Sequence, residues 1–360
     1  MNQELLKWIR PEIRALKAYH VADASGMVKL DAMENPYTLP PDLLEQAQAG
    51  LSRAAINRYP DPAARLLRER IAEVMQVPSC AETVLGNGSD ELIQMLAMAV
   101  AGEGRSIMSF EPGFVMYSMI SRFVGVDYVG VPLAADFSID MTATEAAIAR
   151  HQPAIIFIAY PNNPTGTLFA AKDIERIIEL APGLVVVDEA YQPFAQHSFM
   201  PQLENYEQLL VMRTVSKMGL AGLRLGVLCG RPELITEIDK IRLPYNINVL
   251  TQHTAAFALE HIEVLEQQAA DIRKQRESML QKLASMKAIE VFPSQANFIL
   301  FRISQGSADD VFNSLCADGV LIKNMRASEG ALKNCLRVTV GTKTENDRFL
   351  EALGRAMKKA

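Results

Sequence analysis

Residues 209–228 read LLVMRTVSKMGLAGLRLGVL. Two apolar runs, 209–212 and 225–228, enclose a stretch that carries hydroxyls at Thr214 and Ser216, a lysine at 217, glycines at 219 and 222, and an arginine at 224. Short apolar runs bounded by glycine and small polar residues read as strands, and continuous apolarity suits a strand covered on both faces. The stretch is therefore strand, turn, strand, with an amine held among groups suited to an anion. A surface lysine after a strand is the ordinary alternative, and this stretch taken alone favours it.

Further runs of the same kind lie at 83–85, 106–110, 128–131, 154–159 and 184–187, mostly separated by helical patterns. That alternation predicts an α/β domain with a largely parallel sheet. In such sheets ligands bind beyond the carboxyl ends of the strands, which is where Lys217 falls. The character changes after Pro244: Ala258, Ile262, Leu265, Ala269, Ile272, Met279 and Leu283 recur at helical spacing and predict one long linking helix. The remainder reads as strands at 289–292, 298–303, 320–323 and 336–340 with helices at 308–317 and 345–357, a small α+β domain. Before the sheet come a short helix over 3–10, an arm with a strand-like run at 27–30, a helix from 41 to about 54, and a helix opened by Asp61 as N-cap with Pro62 at its first position. The expected division is an arm over 1–40, a large domain over 41–248, and a linking helix with small domain over 249–360.

Composition bounds the function classes. A chain of 360 residues with 49% hydrophobic and 22% charged residues has ordinary globular usage and room for two domains. Its 36 basic against 42 acidic residues give a net charge of -6 with no basic stripe, so nucleic acid is not an expected partner. No window is apolar and long enough for a bilayer, and the opening MNQELLKWIRPEIRALK is amphipathic and charged, unlike a secretory leader. Cys80, Cys229, Cys316 and Cys335 stand far apart without zinc or redox spacing, and the five histidines are scattered. Reduced thiols, a cytoplasmic protein and no metal site are expected.

Three further stretches carry chemistry. LGNGSDE, 85–91, is a glycine turn from strand to helix whose backbone amides would face a phosphate; it lacks the third glycine of a dinucleotide fingerprint and the lysine of a P-loop. PNNPTG, 161–166, presents an asparagine amide from a turn fixed by two prolines and a glycine. DEAY, 188–191, places a carboxylate directly after four apolar residues. Such a carboxylate is costly to bury unless it meets a cation, and a pyridinium nitrogen would be one; backbone amides or a nearby arginine would also answer.

NPTG, then Asp188 with Tyr191, then Ser216-Lys217 and GLRLG over 222–226, in this order and at these intervals, resembles the fold-type I aminotransferases of class II, which depend on pyridoxal 5'-phosphate. LDAMENP (30–36), NRYPD (57–61), GSDE (88–91) and LRVTVG (336–341) resemble the histidinol-phosphate aminotransferase family over essentially the whole chain. The resemblance implies that Lys217 carries the cofactor as a Schiff base and that Asp188 pairs with its ring nitrogen. Asn163 and Tyr191 would bond the ring oxygen, and Phe114 would stack on the ring. The backbone at Ser89 and Asp90, with Thr214, Ser216 and Arg224, would hold the cofactor phosphate, and Tyr59 would reach it from the partner subunit of a homodimer. Arg337, with Tyr19, Asn35 and Lys323, would bind the substrate. The implied reaction moves the amino group of L-histidinol phosphate to 2-oxoglutarate, giving imidazole acetol phosphate and glutamate in histidine biosynthesis.

The sequence departs from the family in two places. The interval from Lys217 to Arg224 is one residue shorter than in some relatives, and Lys323, with Arg326 nearby, stands where a second phosphate-binding arginine is frequent. Lysine supplies a point charge without the bidentate fork of arginine. The competing readings are an aromatic amino-acid aminotransferase or a threonine-phosphate decarboxylase of the same fold, a non-catalytic regulator that would need an attached DNA-binding domain, and a dinucleotide oxidoreductase using the 86–91 turn. The last leaves Lys217 and Asp188 without a role.

Overall fold

The computed structural model describes residues 3–18, 21–52, 54–325 and 330–358. In chain order its strands are β1 (Val28–Lys29), β2 (Glu82–Asn87), β3 (Ser106–Glu111), β4 (Asp127–Pro132), β5 (Ile155–Ala159), β6 (Leu184–Asp188), β7 (Leu209–Thr214), β8 (Leu225–Gly230), β9 (Ile289–Val291), β10 (Phe298–Ile303), β11 (Val320–Leu321), β12 (Lys323–Asn324) and β13 (Cys335–Thr339). The seven strands β2 to β8 form one sheet in the order β2-β8-β7-β6-β5-β3-β4. Only β8 runs against its neighbours; the other pairings are parallel. All seven expected apolar runs fall on these strands.

Continuous apolarity has the predicted cause. Ile156 and Ile158 of β5 pack into the core on one face with Leu67, Ile71 and Val187, while Ile155 and Phe157 pack into the core on the other with Leu92, Leu96 and Val186. A strand that feeds two cores has no side left for polar residues. Each such side chain contributes about 1.5–3 kcal/mol on full burial, so the sheet is held from both faces and its strand ends are fixed.

The helix Arg65–Val74 begins later than Asp61-Pro62 predicts. The Asp61 carboxylate accepts from the Ala63 and Arg65 amides, at 3.2 and 3.0 Å, but Ala64 is left-handed at φ 46° and forms the actual cap, so Asp61 organises the turn ahead of the helix. At the N-terminus the expected 3–10 helix is two single turns, Gln3–Leu6 and Pro11–Arg14; Pro11, with no N–H to donate, opens the second. The expected long linking helix is also two, Val249–Glu260 and Ile262–Ala284, broken at His261. Ala255, Ala258 and Leu259 join the large-sheet core, as does Leu265 just past the break, whereas Ala269, Ile272, Met279 and Leu283 join the small one.

The small sheet is antiparallel in the order β12-β13-β10-β9. The expected strand 320–323 is divided between two sheets. Val320–Leu321 pairs in parallel with Val28–Lys29 of the arm, and Lys323 pairs with Arg337. The arm is thereby tied to the small sheet just before LDAMENP crosses to the large one.

Candidate active site

β5, β6 and β7 are parallel neighbours, so their carboxyl ends open on the same edge of the sheet. Asn163 follows β5, Asp188 ends β6, and Thr214, Ser216 and Lys217 follow β7. Across β8, the Gly88-Ser89 turn at the end of β2 meets the Arg224 turn. A Cβ at Gly226 would lie 2.6 Å from the Gly88 carbonyl carbon, and one at Gly88, where φ is +77°, would lie 2.6 Å from Arg224 Nη2. Both glycines are required for the approach of these two turns. The shorter interval to Arg224 is accommodated by a left-handed residue, φ 49°, and Arg224 still reaches Asp90 at 3.2 Å.

One pocket is lined by ten of the residues predicted for the cofactor: Ser89, Asp90, Phe114, Asn163, Asp188, Tyr191, Thr214, Ser216, Lys217 and Arg224. The eleventh, Tyr59, lies elsewhere, 80% exposed and stacked on Tyr245 with ring centroids 4.4 Å apart. Asn35 is brought to neither this pocket nor the next one. Its amide donates to the Met218 carbonyl and to Gln268 Oε1, each at 2.9 Å, and its oxygen accepts from Tyr37 N, so the side chain fastens the arm to the lysine turn. Tyr19 and Arg326 lie outside the described residues.

The pocket has two chemically different ends. At one, the carboxylate of Asp188 is buried and accepts from the Tyr117 hydroxyl at 2.7 Å and the Ala190 amide at 3.1 Å. Burial lifts its pKa to about 6 against the pull of those two donors. At the other end, the helix Ser89–Val100 starts at Gly88 without a side-chain cap, so its first amides face the pocket beside Arg224. Thr214 organises this end: its hydroxyl lies 2.9 Å from Ser216 Oγ, accepts from Ser216 N and lies 3.0 Å from the Leu225 carbonyl.

Lys217 stands between the two ends. Its amine donates to the Ala32 carbonyl at 3.2 Å, and burial, then the charge of Arg337, lowers its pKa to about 8. Asn163 donates to Tyr191 Oη at 3.1 Å and accepts from Arg337, which also donates to the Asp31 carbonyl at 3.1 Å and lies over the Phe298 ring. The neighbouring Asn162 is used internally, donating to the Pro112 carbonyl and Thr165. Arg337 and Lys323 line a second, larger cavity that shares Met33, Phe114 and Asn163 with the first.

Two residues at the site lacked a sequence signal. Met33 borders both cavities in a left-handed conformation, φ 57°, held by bonds to Thr339 and Asn297. Tyr117 lines neither cavity; it sits behind Asp188, with its hydroxyl 2.7 Å from Oδ2 and its ring edge against Phe114.

The donor set fits pyridoxal 5'-phosphate. A buried carboxylate without a cationic donor suits a pyridinium nitrogen, an amine of lowered pKa suits an aldehyde, and an uncapped helix start beside an arginine suits a phosphate. Among the described residues no group of histidine, cysteine, aspartate or glutamate has a metal-holding arrangement, and no helix is long and apolar enough to cross a membrane.

The family model for aminotransferase class I and II matches residues 25–353. A histidinol-phosphate aminotransferase 2 of Nitrosococcus oceani is 54% identical over 357 residues, covering 99% of each chain. A protein of the same name from Cupriavidus pinatubonensis is 54% identical over 97% of this chain and 96% of its own. The fold matches a histidinol-phosphate aminotransferase from Sinorhizobium meliloti, solved in complex with pyridoxal-5'-phosphate, with a TM-score of 0.86 at 23% identity and 98% coverage of each chain. The chain belongs to the class I and II aminotransferase family.

Proposed function

We propose that the protein is a histidinol-phosphate transaminase that uses pyridoxal 5'-phosphate and 2-oxoglutarate. The observation that carries this reading is the junction of two cavities at Asn163: a cofactor-shaped one with Lys217 and Asp188, and a substrate-sized one walled by Arg337 and Lys323. When bound, the cofactor supplies a protonated, electron-withdrawing ring that takes up the charge left as the substrate carbon loses its proton.

The chain's own residues do the rest. Asp188 holds a proton at the ring nitrogen. Lys217, whose lowered pKa leaves a usable fraction of free amine near neutrality, carries the cofactor and then moves the proton from the substrate carbon. Asn163 and Tyr191 would orient the ring oxygen, Phe114 would cover the ring, and Thr214, Ser216, Arg224 and the helix start at Ser89 would hold the phosphate. Arg337 grips an anion, the phosphate of histidinol phosphate in one half-reaction and a carboxylate of glutamate or 2-oxoglutarate in the other; Lys323, across the β12–β13 pair, adds a second positive charge. Two half-reactions on one carrier give double-displacement kinetics.

The functional unit is a homodimer, supported by an exposed apolar face that includes Ile56, Tyr59, Leu243 and Tyr245. Four unpaired cysteines support a cytoplasmic location. The three domains are the arm, the large domain and the small domain, with boundaries near residues 40 and 248.

Turnover of histidinol phosphate, phenylalanine and threonine phosphate by the purified protein tests the reading. Histidinol phosphate is expected to have the highest kcat/KM, and Lys217→Ala is expected to abolish both turnover and the visible absorbance of the holoenzyme. A preference for phenylalanine, or release of carbon dioxide from threonine phosphate, would overturn it.

A further inference from the structure

The hydrogen bonds given to Asp188 come from a backbone amide and a phenol, and the phenol is the one that a side chain supplies. We propose that Tyr117 is a positioning residue for the cofactor's ring nitrogen: its hydroxyl, donated to Asp188, keeps that carboxylate ionised and aimed so that the bound ring stays protonated. The proposal rests on the reading of the protein as a pyridoxal 5'-phosphate enzyme.

Tyr117 Oη lies 2.7 Å from Asp188 Oδ2, the distance of a charge-assisted O–H···O bond. Tyr117 is 1% exposed, and burial with the adjacent carboxylate drives its pKa well above the usual tyrosine range. It therefore remains a donor at every pH at which the enzyme works. A donor to a carboxylate stabilises the charged form of that carboxylate.

The bond is also rigid. The Tyr117 ring stacks on Phe157 of β5 with centroids 4.7 Å apart and 9° between planes. Its edge meets Phe114 at 5.4 Å and 89°. One side chain thus sets both the carboxylate at the ring nitrogen and the aromatic side chain that covers the ring face. A buried tyrosine needs only some acceptor, and a backbone carbonyl would serve; this one is aimed at the acid that lines the cofactor pocket.

The charges around Asp188 make the donor consequential. Asp90 and Glu189 push its pKa upward, and Tyr117 and the Ala190 amide push it down. Lys217 and Arg224 line the same pocket. Loss of the hydroxyl removes the largest of the effects that oppose burial.

Tyr117→Phe deletes the hydroxyl and leaves the ring packing in place. The holoenzyme is prepared with cofactor labelled with 15N in the ring, and the nitrogen's chemical shift is followed against pH. At a pH where the pair holds its proton, the nitrogen shift of the variant is expected to move toward that of an unprotonated pyridine, because a carboxylate without the phenol takes up more of the shared proton, with the cofactor Kd raised roughly tenfold to a hundredfold. The kcat should fall in similar proportion, with KM for the amino donor nearly unchanged. In an Asp188→Asn background the Tyr117→Phe change should add nothing, because its effect passes through the carboxylate. 3-Fluorotyrosine at position 117, a stronger donor of nearly the same volume, should move the nitrogen shift toward that of the protonated ring, and it decides the matter if Tyr117→Phe does not fold. Coincident nitrogen shifts of variant and wild type, or an undiminished loss in the Asp188→Asn background, would reduce Tyr117 to packing. Wild-type apoprotein that takes up no pyridoxal 5'-phosphate would instead overturn the functional reading beneath the proposal.

Discussion

Lys217 donates to the carbonyl of Ala32, and its pKa of about 8 is set first by burial and then by Arg337. Below that value the amine is charged and inert toward an aldehyde; above it the amine is free. Cofactor-free protein treated with an aldehyde and then borohydride should therefore be modified at Lys217 with a midpoint near pH 8. A midpoint in the ordinary lysine range would contradict the burial. The folded pKa is depressed, so between it and the ordinary lysine value the unfolded chain binds more protons, and the stability of the cofactor-free protein should rise across that window. Lys217→Met should flatten the rise. Asp188 was legible because a carboxylate directly after four apolar residues is in a place that charge avoids; Lys217 was legible only together with Asp188, Asn163 and Tyr191, since its own stretch taken alone favours a surface lysine. Tyr117 and Met33 were not, because a tyrosine or methionine in an apolar segment is ordinary core, and only the fold reveals which polar atom it meets.

At the end of β6 two adjacent acids serve opposite sides of the sheet. Asp188 looks into the cofactor pocket, whereas Glu189 accepts from Arg213 Nε at 2.9 Å and from Ser198 Oγ at 2.9 Å. Arg213 also donates to Ser198 and to the Met75 carbonyl, so the pair ties the strands β6 and β7 to the segments that follow β6 and the helix Arg65–Val74. Glu189 is 1% and Arg213 9% exposed. Arg213→Met leaves a buried carboxylate unanswered and should lower the unfolding free energy by about 3–5 kcal/mol, while Arg213→Met combined with Glu189→Met should restore much of it. Denaturant unfolding of the two variants measures the difference; equal losses would show that the pair does not act as a unit. In the sequence, Glu189 is simply the residue after Asp188, since strand alternation says that neighbours face opposite ways without saying which faces the ligand. Element boundaries failed for a similar reason. Apolar spacing continues across His261, and Leu265 beyond the break still packs into the large-sheet core, so the pattern carries no mark of where the helix stops.

The large, mostly parallel sheet and the small α+β part were legible because strands alternate with helical patterns up to residue 228, whereas beyond Pro244 the order becomes strand, strand, helix, strand, strand, helix. The relation between copies of the chain was not, since no periodicity records it. Tyr59 is the informative residue: it is 80% exposed, does not line the pocket of its own chain, and stacks on Tyr245 at the surface. If it completes the phosphate site of a neighbouring subunit, the two halves of each site come from different chains, and inactivating defects in them must complement. Lys217→Ala and Tyr59→Ala chains, each impaired as a homodimer, should regain activity on co-expression, because the hybrid holds one site with Lys217 from one chain and Tyr59 from the other. Random pairing would give roughly a quarter of the wild-type rate, half the dimers being hybrids with one intact site of two. If Tyr59 instead served its own chain, each site of the hybrid would carry one defect, and co-expression would recover no more than the average of the two parents.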